Sequence, residues 1–214
     1  MKKKLFLLVI IMICCVGCAN IKNYSYDDIV NLIAEKPKGA NTYQKGYSYF
    51  IPKGLSLANS KVSFAIIESD KTNYYVYFDL ISYINKKEIT TPKKENPLYE
   101  KKINYNNKIG YVSVVLAEND KYLIEIMYNY AKIEVMVDSK NVNKALINSV
   151  TILNSVKYDD AVIKKMLIDN NLTYTEEVFD MFKKTKSSSD YLDYIQGSNE
   201  DAEDDVIKDT DYIN

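Results

Sequence analysis

The 214-residue chain has no His and no Trp, and all 28 of its basic residues are Lys. Without His, Ser-His-Asp and Cys-His nucleophile pairs are excluded. The three Cys lie at positions 14, 15 and 18 and nowhere later, so the usual His/Cys zinc sites are excluded from the rest of the chain. Without Arg there is no planar fork for bidentate recognition of carboxylate or phosphate. Lys, Asn, Ile, Tyr and Phe together supply 99 residues, about 46% of the chain. That bias is the mark of AT-rich coding, which replaces Arg by Lys and fills strands with Ile and Tyr. The absences therefore limit mechanism without declaring purpose.

The first eighteen residues carry the clearest signal. Lys2, Lys3 and Lys4 form a basic leader, followed by twelve uncharged residues from Leu5 to Val16 and then Gly17 and Cys18. The apolar run is long enough for the core of a signal peptide and short of the ~20 residues that span a bilayer. The stretch Cys15-Val16-Gly17-Cys18 resembles a bacterial lipobox, with Cys15 where an aliphatic residue is usual. The resemblance implies a signal peptide over 1–17, cleavage between Gly17 and Cys18, and a diacylglyceryl group on the Cys18 thiol. Two buried acyl chains, at ~0.8 kcal/mol per CH₂, anchor stably where one is marginal. The expected location is the cell membrane, lipid-anchored on its extracytoplasmic face. The chain as a whole is similar to uncharacterised lipoproteins of low-GC Gram-positive bacteria, a likeness that implies place and no activity.

Cleavage would leave 25 Lys against 29 acidic residues, a net charge of −4. The charge is uneven: Ser188–Asn214 carries −8, and Ala19–Ser187 carries +4. A mildly basic body beside an anionic membrane, with a repelled acidic tail, is electrostatically consistent. Scattered Lys without Arg gives no nucleic-acid footprint.

Residues 18–24 read as a lipidated tether. Ser25 with Asp28 reads as a capping box, opening a helix with Ile29, Leu32 and Ile33 on one stripe and closing at Pro37–Gly39. From Gly46 to Val137 the period changes to two, predicting six or seven strands near 47–51, 62–68, 74–84, 99–106, 109–117, 121–128 and 131–137. Residues 86–98, charged and holding Pro92 and Pro97, read as an exposed loop. Asn106-Asn107 predicts a tight hairpin. A two-residue turn at Asn129-Tyr130 aligns Tyr128, Ile126, Ile124 and Tyr122 with Ala131, Ile133, Val135 and Val137 on one face. Ser139 is the expected cap of a helix with Val142, Leu146, Val150, Leu153 and Val156 inward. A second helix is expected after Asp159-Asp160, and a third from the Thr173/Glu176 capping box through Phe182.

The order predicts an α+β fold: an antiparallel sheet with an N-terminal helix and C-terminal helices packed on it. The opening strand Tyr47–Leu55 and the closing segment Ile152–Lys157 look like those of the PsbP-like α/β-sandwich group. That likeness covers about residues 46–158 and implies a chiefly non-catalytic role in binding or assembly. The expected division is 1–17 signal, 18–24 tether, 25–158 α+β domain, 159–196 helical extension and 197–214 acidic disordered tail.

The acidic doublets Asp27-Asp28, Asp159-Asp160 and Glu176-Glu177 all fall at predicted helix N-termini, where negative charge favours the macrodipole. Glu125 and Glu134 are the sharper candidates. The two-residue turn places them opposite each other on the face away from the apolar side, where like charges repel. The expectation is a solvated pair neutralised by a Lys such as Lys132 reaching across. A carboxylate dyad for glycoside hydrolysis is the alternative, and a four-residue loop at 129–132 would instead separate the two. Tyr74, Tyr75, Tyr77, Tyr83, Tyr122, Tyr128 and Tyr130 read as half-buried sheet residues before they read as a sugar or peptide platform. No cofactor is expected, and the acidic tail lacks calcium-loop spacing. The leading reading is a membrane-tethered, non-catalytic module that binds an envelope protein or cell-wall component. A carboxylate-dependent envelope hydrolase and the substrate-binding lipoprotein of a transporter are the alternatives.

Overall fold

Ser25 fixes the start of the fold. Its hydroxyl accepts from the Asp28 amide at 3.1 Å while the Asp28 carboxylate accepts from the Ser25 amide at 3.2 Å, the reciprocal capping box. A computed structural model describes residues 24–69, 72–169 and 181–182, all but Phe182 within one body ending at Met181. Cys18, Gly17, the tether before Tyr24, the helix expected from Thr173, the doublet Glu176-Glu177 and the tail after 197 lie outside the described residues.

Helix α1 (Tyr26–Asn31) passes into a tight turn at Leu32–Ala34 and ends before the expected Pro37–Gly39. Among the described residues ten strands follow: β1 (Thr42–Gln44), β2 (Tyr47–Tyr49), β3 (Ser56–Ser60), β4 (Phe64–Ser69), β5 (Thr72–Phe78), β6 (Tyr99–Tyr105), β7 (Lys108–Leu116), β8 (Lys121–Tyr128), β9 (Ala131–Asp138) and β10 (Lys157–Tyr158). Between them lie α2 (Leu80–Asn85), α3 (Val142–Ser155) and, last, α4 (Asp160–Ile168). The fold is α+β, with an antiparallel seven-stranded sheet in the order β3-β4-β5-β9-β8-β7-β6 and a small sheet β1-β2-β10.

The strand expected over 74–84 is two elements. Asp79 accepts a hydrogen bond from the Ser82 amide at 2.9 Å and caps α2, ending β5 at Phe78. The helix expected to be capped by Ser139 has a different start: a short turn over Ser139–Asn141 precedes it, and Asn141 at the cap makes no side-chain hydrogen bond. Asp159 does cap α4, accepting from the Val162 amide.

Alternation sorts the sheet into two faces. Val112, Val114, Ile124, Ile126, Ile133, Val135, Tyr74 and Val76 form the core with Ile29 and Ile33 beside α1 and Leu146, Val150 and Leu153 of α3. Full burial of each such side chain contributes about 1.5–3 kcal/mol. The segment after 158 is part of this body: Ile163 and Met166 of α4 are fully buried. The 47–51 strand pairs in the small sheet, where Tyr158 lies opposite Tyr47. The Ser155 hydroxyl accepts the Phe50 amide at 2.8 Å, tying the end of α3 to the strand that opens the domain.

Candidate functional site

The turn between β8 and β9 sets the site. Asn129 and Tyr130 both take left-handed backbone (φ 51° and 63°), the pair of positive φ angles that a two-residue hairpin demands. Tyr130 is held there by its surroundings. Its carbonyl accepts from the Asp79 amide, its hydroxyl donates to the Lys87 carbonyl, and its ring meets Tyr83 edge-on at 5.8 Å. The register is therefore Tyr128↔Ala131, Ile126↔Ile133, Ile124↔Val135 and Tyr122↔Val137, with Glu125 directly opposite Glu134. A four-residue loop at 129–132 is excluded, and the two carboxylates stay together.

The expectation of a solvated pair is overturned. Glu125 is 3% exposed and Glu134 2%. The physical reason lies outside the strands. Lys94 reaches in from the 86–98 loop, and the Met181 backbone N–H donates to Glu134 Oε2 at 2.8 Å. Period-two patterning identifies the face away from the helices, but it cannot tell an open face from one covered by irregular chain.

Besides the Met181 N–H, three side chains contact the carboxylates. Lys132 Nζ lies 2.7 Å from Glu134 Oε1, close enough to pair but outside hydrogen-bond alignment, and 4.0 Å from Glu125 Oε2. Lys94 Nζ donates to Glu125 Oε2 at 2.8 Å, and the Tyr111 hydroxyl donates to Glu125 Oε1 at 2.6 Å. Ser113, cross-strand from Glu125 on β7, is 2% exposed, and its hydroxyl has no hydrogen-bond partner among the described residues. Two buried carboxylates thus meet two ammonium groups, the balance that buried charge requires. Lys132 follows from the sequence because it stands two residues before Glu134. Tyr111 and Ser113 needed the β7–β8 register, and Lys94 needed the path of an irregular loop.

The tyrosines form no open platform. Tyr74 and Tyr128 are in the core, Tyr75 lies on the second face opposite Glu134, and Tyr83 stacks on Tyr158 at 4.0 Å. Burial and the hydrogen bond to Asp160 push the Tyr83 phenol up to about 12. Burial pushes Tyr49 to about 12 as well, and Tyr47 further. The Asp27 carboxyl is held below its usual range by the Lys101 ammonium and the Tyr99 hydroxyl. Asp27-Asp28 and Asp159-Asp160 do sit at helix starts. A separate surface cleft of about 350 Å³ is lined by Glu35, Lys36, Tyr105, Lys108, Tyr128 and Asn154 among others.

The chain matches no protein-family model and no curated protein. Among the described residues, no helix is long and apolar enough to cross a membrane, and no group of three His, Cys, Asp or Glu is placed to hold a metal ion.

Proposed function

We propose that the protein is a membrane lipoprotein, anchored through acylated Cys18 on the extracytoplasmic face, whose folded body is a non-catalytic binding or assembly module of the cell envelope. The observation that carries this reading is the layout of residues 2–18: three Lys, twelve uncharged residues, then Gly17-Cys18, with every cysteine of the chain inside it. One lipidated cysteine and no other thiol in the mature chain suits an oxidising compartment. The likeness to the PsbP-like group draws support from the Phe50–Ser155 hydrogen bond and the Ser48–Lys157 pairing, which join the two segments that carry it.

The non-catalytic half of the reading rests on Glu125 and Glu134. A glycoside hydrolase needs its two carboxyls free to flank a sugar and a water. Here both are buried and each is already in contact with a lysine. The transporter alternative draws no support from the described residues, all but Phe182 of which lie in one body.

The test is mass spectrometry of the membrane-extracted protein together with labelling by radioactive palmitate. The expected result is a chain beginning at a diacylglyceryl-modified Cys18, with label and membrane retention both lost in Cys18→Ser. An unmodified N-terminus retaining Lys2 overturns the reading.

A further inference from the structure

The end of the body where α3 stops carries an opening. The turn after α1, the β6–β7 hairpin, the last residue of β8 and the end of α3 meet around the cleft of about 350 Å³. Ligand sites run from roughly 300 to 1,000 Å³, so this one has room for about one or two sugar rings. One wall is tied down by the Asn154 side-chain amide, which donates to the Glu35 carbonyl at 3.0 Å. Tyr128, 2% exposed, is the floor. Its hydroxyl donates to the Tyr105 carbonyl at 3.3 Å, and the Lys108 ammonium stands 6.0 Å from the centre of its ring.

The polar groups of this lining are largely unspent. Among the described residues Lys36 makes no ion pair or hydrogen bond, and Lys108 pairs with no carboxylate. Glu35 is the one acid of the lining, and its carboxylate is matched to neither lysine. Two ammonium groups against one carboxylate favour an anion, and Lys38, exposed two residues further on, adds charge of the same sign. The amides point to hydroxyl groups. Asn154 Oδ1 accepts from no described donor, and the exposed Asn106 side chain has no hydrogen bond at all. Tyr105, 38% exposed, is the half-open aromatic residue of the lining.

We propose that this cleft binds an anionic sugar, a hexose unit bearing a carboxylate or a phosphate. Lys36 and Lys108 take the charge, Asn106 and Asn154 the hydroxyls, and Tyr105 the apolar C–H face of the ring. Lysines are compact point charges rather than planar forks, so they serve carboxylate and phosphate alike. Side-chain amides donate and accept, as sugar hydroxyls do, and a tyrosine offers an apolar body with a wet tip. The aliphatic members of the lining are Ala34 and Pro37, too little for an acyl chain. Placement favours the same class of ligand. Asn143 meets the Tyr24 carbonyl near the start of α3, and Asn154 stands about 16 Å further along its axis. The cleft is thus at the end of α3 away from the segment that leads to Cys18, which suits a sugar polymer of the envelope over a headgroup of the anchoring membrane. The proposal deepens the reading of the body as a binding module and rests on it.

The experiment is calorimetric titration of the full chain with glucuronate and, separately, with glucose 6-phosphate, beside glucose, acetate and inorganic phosphate. At least one charged sugar is expected to bind about tenfold more tightly than glucose and than its own bare anion, the effect of one charge-assisted hydrogen bond. Binding of glucuronate alone assigns a uronate as the source; binding of glucose 6-phosphate alone assigns a sugar phosphate. Lys36→Met and Lys108→Met are each expected to weaken the charged sugar about tenfold and to leave the unfolding midpoint close to that of the unaltered chain. Tyr105→Leu is expected to weaken charged and neutral sugars alike. The proposal is overturned if neither charged sugar binds, if acetate or inorganic phosphate binds as tightly as the sugar that carries it, or if both lysine variants bind as the unaltered chain does. Phosphatidylglycerol vesicles that capture Cys18→Ser through Lys36 and Lys108 would assign the site to a lipid headgroup and overturn it as well. The same sugar titrations on Cys18→Ser keep failure of the cleft distinct from failure of the anchor.

Discussion

Glu125 and Glu134 face each other across the two central strands, and Lys132 lies within 4.0 Å of one and 2.7 Å of the other. Replacing Lys132 by Met removes the positive charge that the sheet itself supplies while keeping most of the side-chain volume. Loss of one partner of a buried ion pair typically costs about 3–5 kcal/mol, and that is the expected destabilisation in urea unfolding. Glu125→Gln should cost less, because Lys94 is partly exposed and can return to water. A Lys132→Met stability within experimental error of the unaltered chain would show that the two carboxylates do not depend on it.

Gly110 is required by contact rather than by backbone angle. A Cβ there would sit 1.9 Å from the Met127 carbonyl oxygen and 2.9 Å from the Tyr128 Cα, both main-chain atoms of the neighbouring strand. Gly110→Ala is expected to cost about 4 kcal/mol or more, the range reserved for a named steric failure. Gly39, with nothing within 4 Å of its Cβ position, is the control; Gly39→Ala should change stability by less than about 0.5 kcal/mol. Equal effects at the two sites would refute the distinction.

Buried hydroxyls divide into used and unused. Among the described residues, the phenol oxygens of Tyr47 and Tyr49 have no hydrogen-bond partner, so Tyr49→Phe should leave stability unchanged or raise it by up to about 1 kcal/mol. Ser155 is the opposite case. It accepts from the Phe50 amide and donates to the Ile152 carbonyl, so Ser155→Ala should cost about 1–3 kcal/mol by stranding a buried donor. Chemical unfolding of both variants checks the contrast, and a large loss in Tyr49→Phe would contradict it.

Alkali should unfold the protein in a defined window. Burial raises the phenols of Tyr49 and Tyr83 to about 12 in the folded state, against about 10 in an unfolded chain. Their stabilising effect is complete below pH about 10 and is lost as pH rises toward their folded values, because only the unfolded chain releases those protons. Absorbance at the tyrosinate band should therefore show a late-ionising class that appears together with loss of far-ultraviolet circular dichroism. Ionisation of every tyrosine near pH 10 with the sheet intact would rule this out.

Local chemistry was legible in the sequence and distant chemistry was not. The Ser25/Asp28 box and the Asn106-Asn107 turn are decided within four residues. The β8–β9 register follows from matching apolar positions across a short turn, and with it came the Glu125–Glu134 confrontation and the involvement of Lys132. The short strands β1 and β10 were missed because three and two residues carry no periodic signal, and β10 finds its partner β2 more than a hundred positions earlier. Burial of the carboxylates was missed because it depends on Lys94 and Met181, whose paths no pattern of alternation encodes.

The long helix α3 closes the structure from its far end. Its Asn143 and Asn154 side chains donate to the Tyr24 and Glu35 carbonyls, each 119 residues earlier, and the core that receives Ile29 and Ile33 includes its Leu146 and Val150. The first helix meets Tyr99 and Lys101 of β6 part-way along the chain, but gains α3 only when nearly the last element exists. A chain emerging from a ribosome, or threading a narrow channel N-terminus first, would pair its consecutive hairpins before that helix arrives and clasp its first helix last.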